Sequence, residues 1–269
     1  MEKLLQDRIA IVIGGGQTAG ETVGNGRATA LAFAREGATV VVVDREAQSA
    51  QETAQQIIAE GGQAWSIAAD IAREDDIRHM VDAVIKRHQR IDILHNNVGI
   101  AASGGDKPID SITEEAFDRL YTINLRGMTM TCKHVLSVMN EQGSGNIINV
   151  ASTASFAVYP NVAYKATKMG VLGLTQHIAM QYAAKGIRAN AILPGLIDTP
   201  MAIETRVQLS GRPREDIIAE RDAQVPLRGH MGSAWDVANA AVFLASDRAA
   251  FITGVNLPVD GGALARIGV

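Results

Sequence analysis

The feature that most constrains this chain is a rhythm. Short runs of β-branched and other apolar residues stop at glycine, aspartate or asparagine, and each gives way to a longer stretch of helical character. Arg8–Ile13, Ala38–Val43, Ala64–Ala69, Ile91–His95, Asn146–Ala151 and Ile187–Leu193 are such runs, and Asn256–Gly262 is the last. Apolar runs without polar alternation read as strands covered on both faces. A helix after each strand brings the chain back to start the next one in the same direction, so the sheet is parallel. The pattern predicts an α/β chain: a three-layer doubly wound (Rossmann) fold with a mainly parallel seven-stranded sheet and helices on both faces. Pro258 puts the last strand at an edge. No linker, repeat or low-complexity tract interrupts the series, so a single domain is expected over residues 1–269.

Ligands of such sheets bind beyond the carboxyl ends of the strands, which makes the residues closing each strand the candidates. The first strand ends in Gly14-Gly15-Gly16. A fingerprint can be matched at Gly14-x-Gly16-x-x-Ala19, but that register leaves Gly20, Gly24 and Gly26 inside the helix at roughly 1 kcal/mol each relative to alanine. The uninterrupted helical pattern is Arg27–Glu36, closed by Gly37. Gln17 to Val23 is then an inserted excursion, and the amides that face a phosphate lie around Gly24, Asn25 and Gly26. Asp44 ends the second strand eighteen residues after Gly26. An acidic side chain there hydrogen-bonds the adenosine ribose and repels a 2′-phosphate, so NAD is expected. Arg45 beside it leaves NADP open. Asp70 ends the third strand and either touches adenine or caps the next helix. Asn96 and Asn97 leave the fourth strand, where buried amides need partners; they read as braces for neighbouring backbone, with cofactor contact secondary. His95 reads as a satisfied wall residue.

Chemistry enters with Tyr164 and Lys168, four apart in a helical pattern and so on one face. A phenol titrating near ~10 serves as a general acid or base at neutral pH only if something stabilises its anion, and a lysine one turn away could do so. Asn124 sits inside a long amphipathic helix running from Thr113 through Met130, and Ser152-Thr153 end the fifth strand on the ligand side. Leu196 to Arg228 is mixed in charge, carries three prolines and shows no clear strand; a segment of that kind beyond the ligand edge reads as a substrate lid. A net charge of −4 without a basic run excludes a nucleic-acid surface. No apolar stretch of membrane-spanning length is present, and Cys132, the single cysteine, reads as a buried helical thiol that excludes a disulfide framework or zinc cluster. A cytoplasmic protein with a small-molecule partner and no metal is expected.

With these residues in place the chain resembles the short-chain dehydrogenase/reductase family over nearly its whole length. The family's Tyr-x-x-x-Lys corresponds to Tyr164 and Lys168, its Asn-Asn-Ala-Gly to Asn96-Asn97-Val98-Gly99, its catalytic asparagine to Asn124, and its Pro-Gly turn to Pro194-Gly195. Val259-Asp260-Gly261-Gly262 also looks like the family's ending. The chain departs in its glycine turn, where the interval from Gly14 to Gly24 is ten positions rather than the usual four, an insertion of six. It departs again at the catalytic serine: Ser152 precedes Tyr164 by twelve residues, one fewer than expected, with Thr153 and Ser155 as alternatives. The resemblance implies hydride exchange between a secondary alcohol or ketone and a nicotinamide. Tyr164 would move the hydroxyl proton. Lys168 would lower the tyrosine's pKa and hold the nicotinamide ribose, Ser152 would donate to the substrate oxygen, and Asn124 would keep a relay water in line. It implies a dinucleotide held by Gly14, Gly24, Asn25, Gly26, Asp44, Asp70, Ile71, Asn97, Gly99, Tyr164, Lys168, Pro194, Gly195, Ile197 and Thr199, and a homo-oligomer, tetramer or dimer. Phe156, Val158, Tyr159, Met201 and Ile203 read either as a mainly apolar pocket for an alicyclic or aromatic alcohol or as ordinary core or subunit contacts. The alternative function is a non-catalytic dinucleotide-sensing regulator on the same fold.

Overall fold

The computed structural model describes residues 3–266, so the first two and last three residues of the expected 1–269 domain lie outside the described residues. The first half alternates strictly: β1 (Ile9–Ile13), α1 (Asn25–Arg35), β2 (Thr39–Asp44), α2 (Ala47–Ala59), β3 (Gln63–Ala68), α3 (Glu74–His88) and β4 (Ile93–Asn96). The second half runs α4 (Glu114–Tyr121), α5 (Met128–Gln142), β5 (Gly145–Val150), α6 (Val162–Tyr182), β6 (Ile187–Pro194), β7 (Ile197–Asp198), α7 (Pro200–Ser210), α8 (Arg214–Asp222), β8 (Gly232–Ser233), α9 (Ala234–Ala245) and β9 (Asn256–Val259). Seven strands form one sheet in the order β3-β2-β1-β4-β5-β6-β9, and every pairing is parallel. The chain winds outward from β1 to β3 and then returns to lay β4 on the other side of β1. The crevice between β1 and β4 is the switch point at which such sheets take their ligands.

Burial explains the missing alternation. Ala10, Val12, Val40, Val42, Ile93 and Ile148 pack beneath one helix layer that includes α1 and α9. Ile9, Ile11, Ile13, Val41, Val43 and Leu94 pack beneath the other, formed by α3, α5 and the end of α6. Successive residues point to opposite faces of a strand, and here both faces are core. β3, at one edge, is only half covered. Helix ends follow the sequence chemistry: α3 opens on Glu74, Asp75 and Asp76 and closes on Lys86, Arg87 and His88, which complements the helix dipole at both ends. Ser233 and Asp236 form a capping box on α9.

Two elements differ from expectation. The helix from Thr113 is interrupted: Thr122–Gly127 makes a π turn between α4 and α5. Gly127 lies so close to the next layer that a Cβ would stand 2.7 Å from the Ile71 carbonyl oxygen. Such turns carry no signature in apolar periodicity. The 196–228 segment is not strandless but holds β7, paired with β8, and two helices, α7 and α8. A two-residue strand has too few residues to show a period.

Candidate active site

The turn after β1 is built for close approach. Gly14 has φ +71°, and its amide and that of Gly15 both donate to the Val43 carbonyl at 2.8 and 3.0 Å. A Cβ on Gly26 would overlap the Gly14 carbonyl oxygen, which the Asn97 side chain also holds at 3.1 Å. The helix begins at Asn25, two residues before the expected Arg27, and so takes Gly26 into its first turn, where the close approach to Gly14 outweighs glycine's poor helix propensity; Gly20 and Gly24 stay outside it, as expected. Its first turn has no side-chain cap and no acidic residue, so its amides point at an anion site. The buried Asn25 Oδ1 has no partner among the described residues. Gly24 differs from expectation, because its amide is already taken by Gln17 Oε1 at 2.9 Å. Gln17 also donates to the Thr18 and Thr22 carbonyls and so ties the excursion into a compact knot. These features fit the phosphates of a dinucleotide.

Asp44 lies at the end of β2, where its carboxylate accepts from the Gly16 amide at 3.0 Å and the Glu46 amide at 3.1 Å. Arg45 turns outward to Glu46 at 3.3 Å with both side chains exposed. Asp70 is not the cap of α3, a place taken by Arg73; its carboxylate accepts from Ala72 at 2.9 Å and forms the turn that leads to Ile71. Asn96 donates to the Asn149 side chain at 2.9 Å and the Cys132 thiol at 3.3 Å, so it braces side chains, and only Asn97 braces backbone as expected. Cys132 is buried, and burial pushes its thiol up to about 12. His95 corrects an expectation: it is fully buried, but neither ring nitrogen has a partner. The Phe33 ring stands edge-on to it, centroids 5.9 Å apart, and burial pushes it down to about 3.

Three strand ends and α6 bring the chemical residues together. Lys168 is buried and donates to the Val150 carbonyl at 2.7 Å, and its ammonium stands 5.8 Å from the centre of the Tyr164 ring. Burial lowers it to about 8. Gly99 leaves room for that ammonium, which a Cβ there would meet at 2.9 Å. Tyr164 is half-buried. Burial pushes its phenol up, while the Ser152 hydroxyl and the Arg206 charge pull it down and Asp106 pushes it up. That is the reverse of the expected lowering, since Lys168 lies against the face of the ring, not its hydroxyl. Ser152 Oγ accepts from the Ala154 amide at 3.1 Å. Of the alternatives, Thr153 is spent on the Pro194 carbonyl at 3.3 Å, and the buried Ser155 hydroxyl has no partner. Asn124 lies in the π turn with its side chain fully used: it accepts from the Ile100 amide, donates to the Ile100 carbonyl, both at 2.8 Å, and donates to Thr167 at 3.2 Å.

Beyond β6 the Gly195 amide donates to the Val259 carbonyl at 2.9 Å, Ile197 is buried in β7, and Thr199 caps α7 by accepting from Ala202 at 3.3 Å. Ile203 is fully buried, as its reading as core requires. The inserted excursion reaches this region: Thr22 donates to Asp198 at 3.4 Å, and Glu21 pairs with Arg214 at 3.2 Å. Three residues escaped sequence reasoning, Asp106, Arg206 and Arg221, and a fourth, Tyr159, reads in the sequence only as an apolar pocket or contact residue. Asp106 caps α6 from a loop, its two oxygens accepting from the Ala163 and Tyr164 amides at 2.9 and 3.2 Å. The Tyr159 ring lies 5.6 Å from that of Tyr164. Arg206 and Arg221, on α7 and α8, act on the Tyr159 phenol. Only the fold brings these distant positions together. Among the described residues there is no group of three metal-binding side chains, and no helix is long and apolar enough to cross a membrane.

Residues 19–263 match the family described as enoyl-(acyl carrier protein) reductase. Levodione reductase of Leifsonia aquatica is 37% identical over 260 residues, covering 95% of this chain and 94% of that protein. A crystal structure of levodione reductase superposes with a TM-score of 0.91 at 34% identity, covering 98% of this chain and 100% of that one. The 4-formylbenzenesulfonate dehydrogenase of Comamonas testosteroni is 37% identical over 262 residues, covering 96% and 98%. A chain from Beutenbergia cavernae, described as an NAD(P)-dependent gluconate 5-dehydrogenase and solved with NADP at low occupancy, has a TM-score of 0.87 at 32% identity, covering 99% and 100%.

Proposed function

The chain belongs to the short-chain dehydrogenase/reductase family and is an NAD(P)-dependent oxidoreductase, and from that premise we propose that it interconverts a secondary alcohol and a ketone with Tyr164 as acid and base. The observation that carries this reading is the convergence of Ser152, Tyr164 and Lys168 beyond β5. The bound dinucleotide supplies or accepts the hydride. The protein's own residues handle the proton and the geometry. In the alcohol direction the Tyr164 oxygen takes the hydroxyl proton, and in the ketone direction it returns one. Ser152, beside Tyr164, donates to the same substrate oxygen. Lys168, still mostly protonated at neutral pH with its value near 8, offers its remaining protons to the nicotinamide ribose, while the Ser152 hydroxyl and the Arg206 charge are what favour the phenolate. Asn124 has spent its side chain on Ile100 and Thr167, so it would hold a relay water through main-chain groups that the π turn releases.

The dinucleotide would lie along the β1–β4 crevice, its phosphates at Gly14 and the amides of Asn25 and Gly26, its ribose at Asp44, and its far end near Asn97, Gly99, Pro194, Gly195, Ile197 and Thr199. Asp70 and Ile71 would flank the adenine. We favour NAD over NADP because Asp44 faces the ribose position while Arg45 is turned to Glu46. The 196–228 segment acts as the lid, and a homo-oligomer, tetramer or dimer, in the cytoplasm completes the proposal. Relatives named for levodione, 4-formylbenzenesulfonate and cis-4-hydroxycyclohexanecarboxylate support a ring-bearing substrate. The deciding experiment follows NADH formation from NAD, and NADPH from NADP, with cyclic and aromatic secondary alcohols. Tyr164→Phe is expected to lose about 10²- to 10⁴-fold in turnover with dinucleotide binding unchanged by titration. Undiminished turnover in that variant would remove Tyr164 from its role, and cofactor binding with no reaction anywhere would favour the sensing regulator.

A further inference from the structure

Arg221 is a buried cation with no ion-pair partner among the described residues. It lies on α8 with 8% of its surface exposed, and its Nε donates to the Met231 thioether at 3.2 Å, a weak acceptor. The other arginines of the segment show what is missing. Arg212 pairs with Glu220 at 2.7 Å, and Arg214 pairs with Glu204 and Glu21, each at 3.2 Å. Among the described residues no carboxylate stands within ion-pair distance of Arg221. Asp222, next in the chain, is used by the Met231 amide at 2.7 Å and His230 at 3.4 Å. Asp198, Asp222 and Glu220 act on Arg221 only from beyond ion-pair distance, and burial is the larger influence. A guanidinium stays protonated, and leaving one buried and unpaired is among the costliest arrangements in a fold.

Its surroundings explain why the fold would keep it. Arg206, on the adjoining α7, is near enough to repel Arg221 and also lacks a carboxylate partner; its Nη1 donates to the Ala202 carbonyl at 2.6 Å. Both cations act on the Tyr159 phenol, whose ring stands 5.6 Å from that of Tyr164. Two arginines on adjoining helices thus lie near enough to act on the tyrosine pair, and among the described residues neither has a carboxylate within ion-pair distance. We propose that Arg221, assisted by Arg206, binds an oxyanion carried by the substrate, so that the substrate is a secondary alcohol or ketone bearing a carboxylate or sulfonate. This rests on the dehydrogenase reading above and narrows it. A planar guanidinium takes such a group through two parallel hydrogen bonds. Arg221 is then the residue that sets specificity, at a distance from the hydride and proton steps.

The test is binding, kept separate from turnover. The protein loaded with oxidised dinucleotide, which cannot reduce a ketone, is titrated with 4-acetylbenzoate, 4-acetylbenzenesulfonate and the neutral 4-acetylbenzamide. At least one anion is expected to bind tenfold or more tighter than the amide. Arg221→Met should remove that preference and leave the amide unchanged, Arg206→Gln should reduce it in part, and Arg221→Lys should retain some of it. Without ligand, Arg221→Met is expected to melt at or above the wild-type temperature, because it deletes an uncompensated charge. Anions bound no better than the amide, none of the three bound, or a preference that survives Arg221→Met would overturn the proposal. So would a variant that melts several degrees lower or changes the oligomeric state while anion binding persists, since Arg221 would then be a structural or subunit contact. The dehydrogenase reading fails on different evidence, an anion preference that is present beside an absence of any NAD- or NADP-linked turnover.

Discussion

Burial, not sequence neighbourhood, sets the protonation of the residues in this site. Lys168 and Tyr164 share a helix face, yet the phenol is pushed up by its surroundings and the ammonium is pushed down to about 8. His95 shows the same rule at its limit, with a value near 3 and no hydrogen bond to compensate. The unfolded chain takes a proton on this imidazole near ~6.5, while the folded protein refuses it until far lower pH. Between those values the unfolded state binds more protons, so stability falls as pH falls from about 6.5 towards 3. From pH 7 to pH 5 this one group should cost about 2 kcal/mol. Urea unfolding of wild type and His95→Leu at the two pH values checks it: the leucine variant should lose less on acidification by about that amount. Equal losses would mean that the imidazole reaches a partner or solvent in the folded protein. The identity of the residues was legible here and their electrostatics were not, because a pKa depends on neighbours from Val150 to Arg206 that adjacency in sequence does not disclose.

At the scale of elements, the helix that carries Tyr164 and Lys168 begins without a cap of its own. Asn161 precedes α6 but makes no side-chain cap. The free amides are met instead by Asp106, from a loop that also gives the Lys107 carbonyl to Val162 at 3.0 Å. A helix start satisfied by a remote carboxylate is tied in angle and rotation to the loop that holds it. Asp106→Ala should therefore cost about 1 to 3 kcal/mol in stability and lower kcat by roughly ten- to hundredfold through misplacement of Tyr164. Asp106→Asn, which keeps one acceptor oxygen, should recover part of both. Asp106 also pushes the phenol up, so either variant should move the tyrosine limb of the pH profile to lower pH. A profile that stays in place while stability drops would reduce Asp106 to a structural cap. Strand and helix spans were legible almost throughout, because both-face burial writes itself as unbroken apolar runs and helices announce their ends through glycines and charges. The π turn at Asn124 and the cap from Asp106 were not, since each is fixed by contacts with Ile71, Ile100 or Ala163 that lie in other layers.

At the scale of the whole molecule, the lengthened glycine turn ties the end of β1 to the 196–228 segment. The excursion is held at its base, where Gln17 takes the Gly24 amide, and at its tip, where Thr22 reaches Asp198 and Glu21 reaches Arg214. The ion pair alone contributes little, for Glu21 is largely exposed and such pairs are worth about 0 to 1 kcal/mol. The closer fit is steric. A Cβ on Gly20 would meet the Pro200 ring at 2.7 Å and Glu204 at 2.9 Å, and the proline at the first turn of α7 cannot swing aside as a long side chain would. Gly20→Val should therefore lift α7 and α8 from the excursion and leave the sheet untouched. The expected result is faster proteolysis within residues 196–228, a KM raised several-fold for both alcohol and dinucleotide, and a melting temperature within a few degrees of wild type. Glu21→Ala should do much less, since it removes a solvated pair and adds no bulk. If Gly20→Val instead left proteolysis and both KM values unchanged, the excursion and the segment would be neighbours without being coupled, and the six additional residues of the turn would serve the phosphates alone.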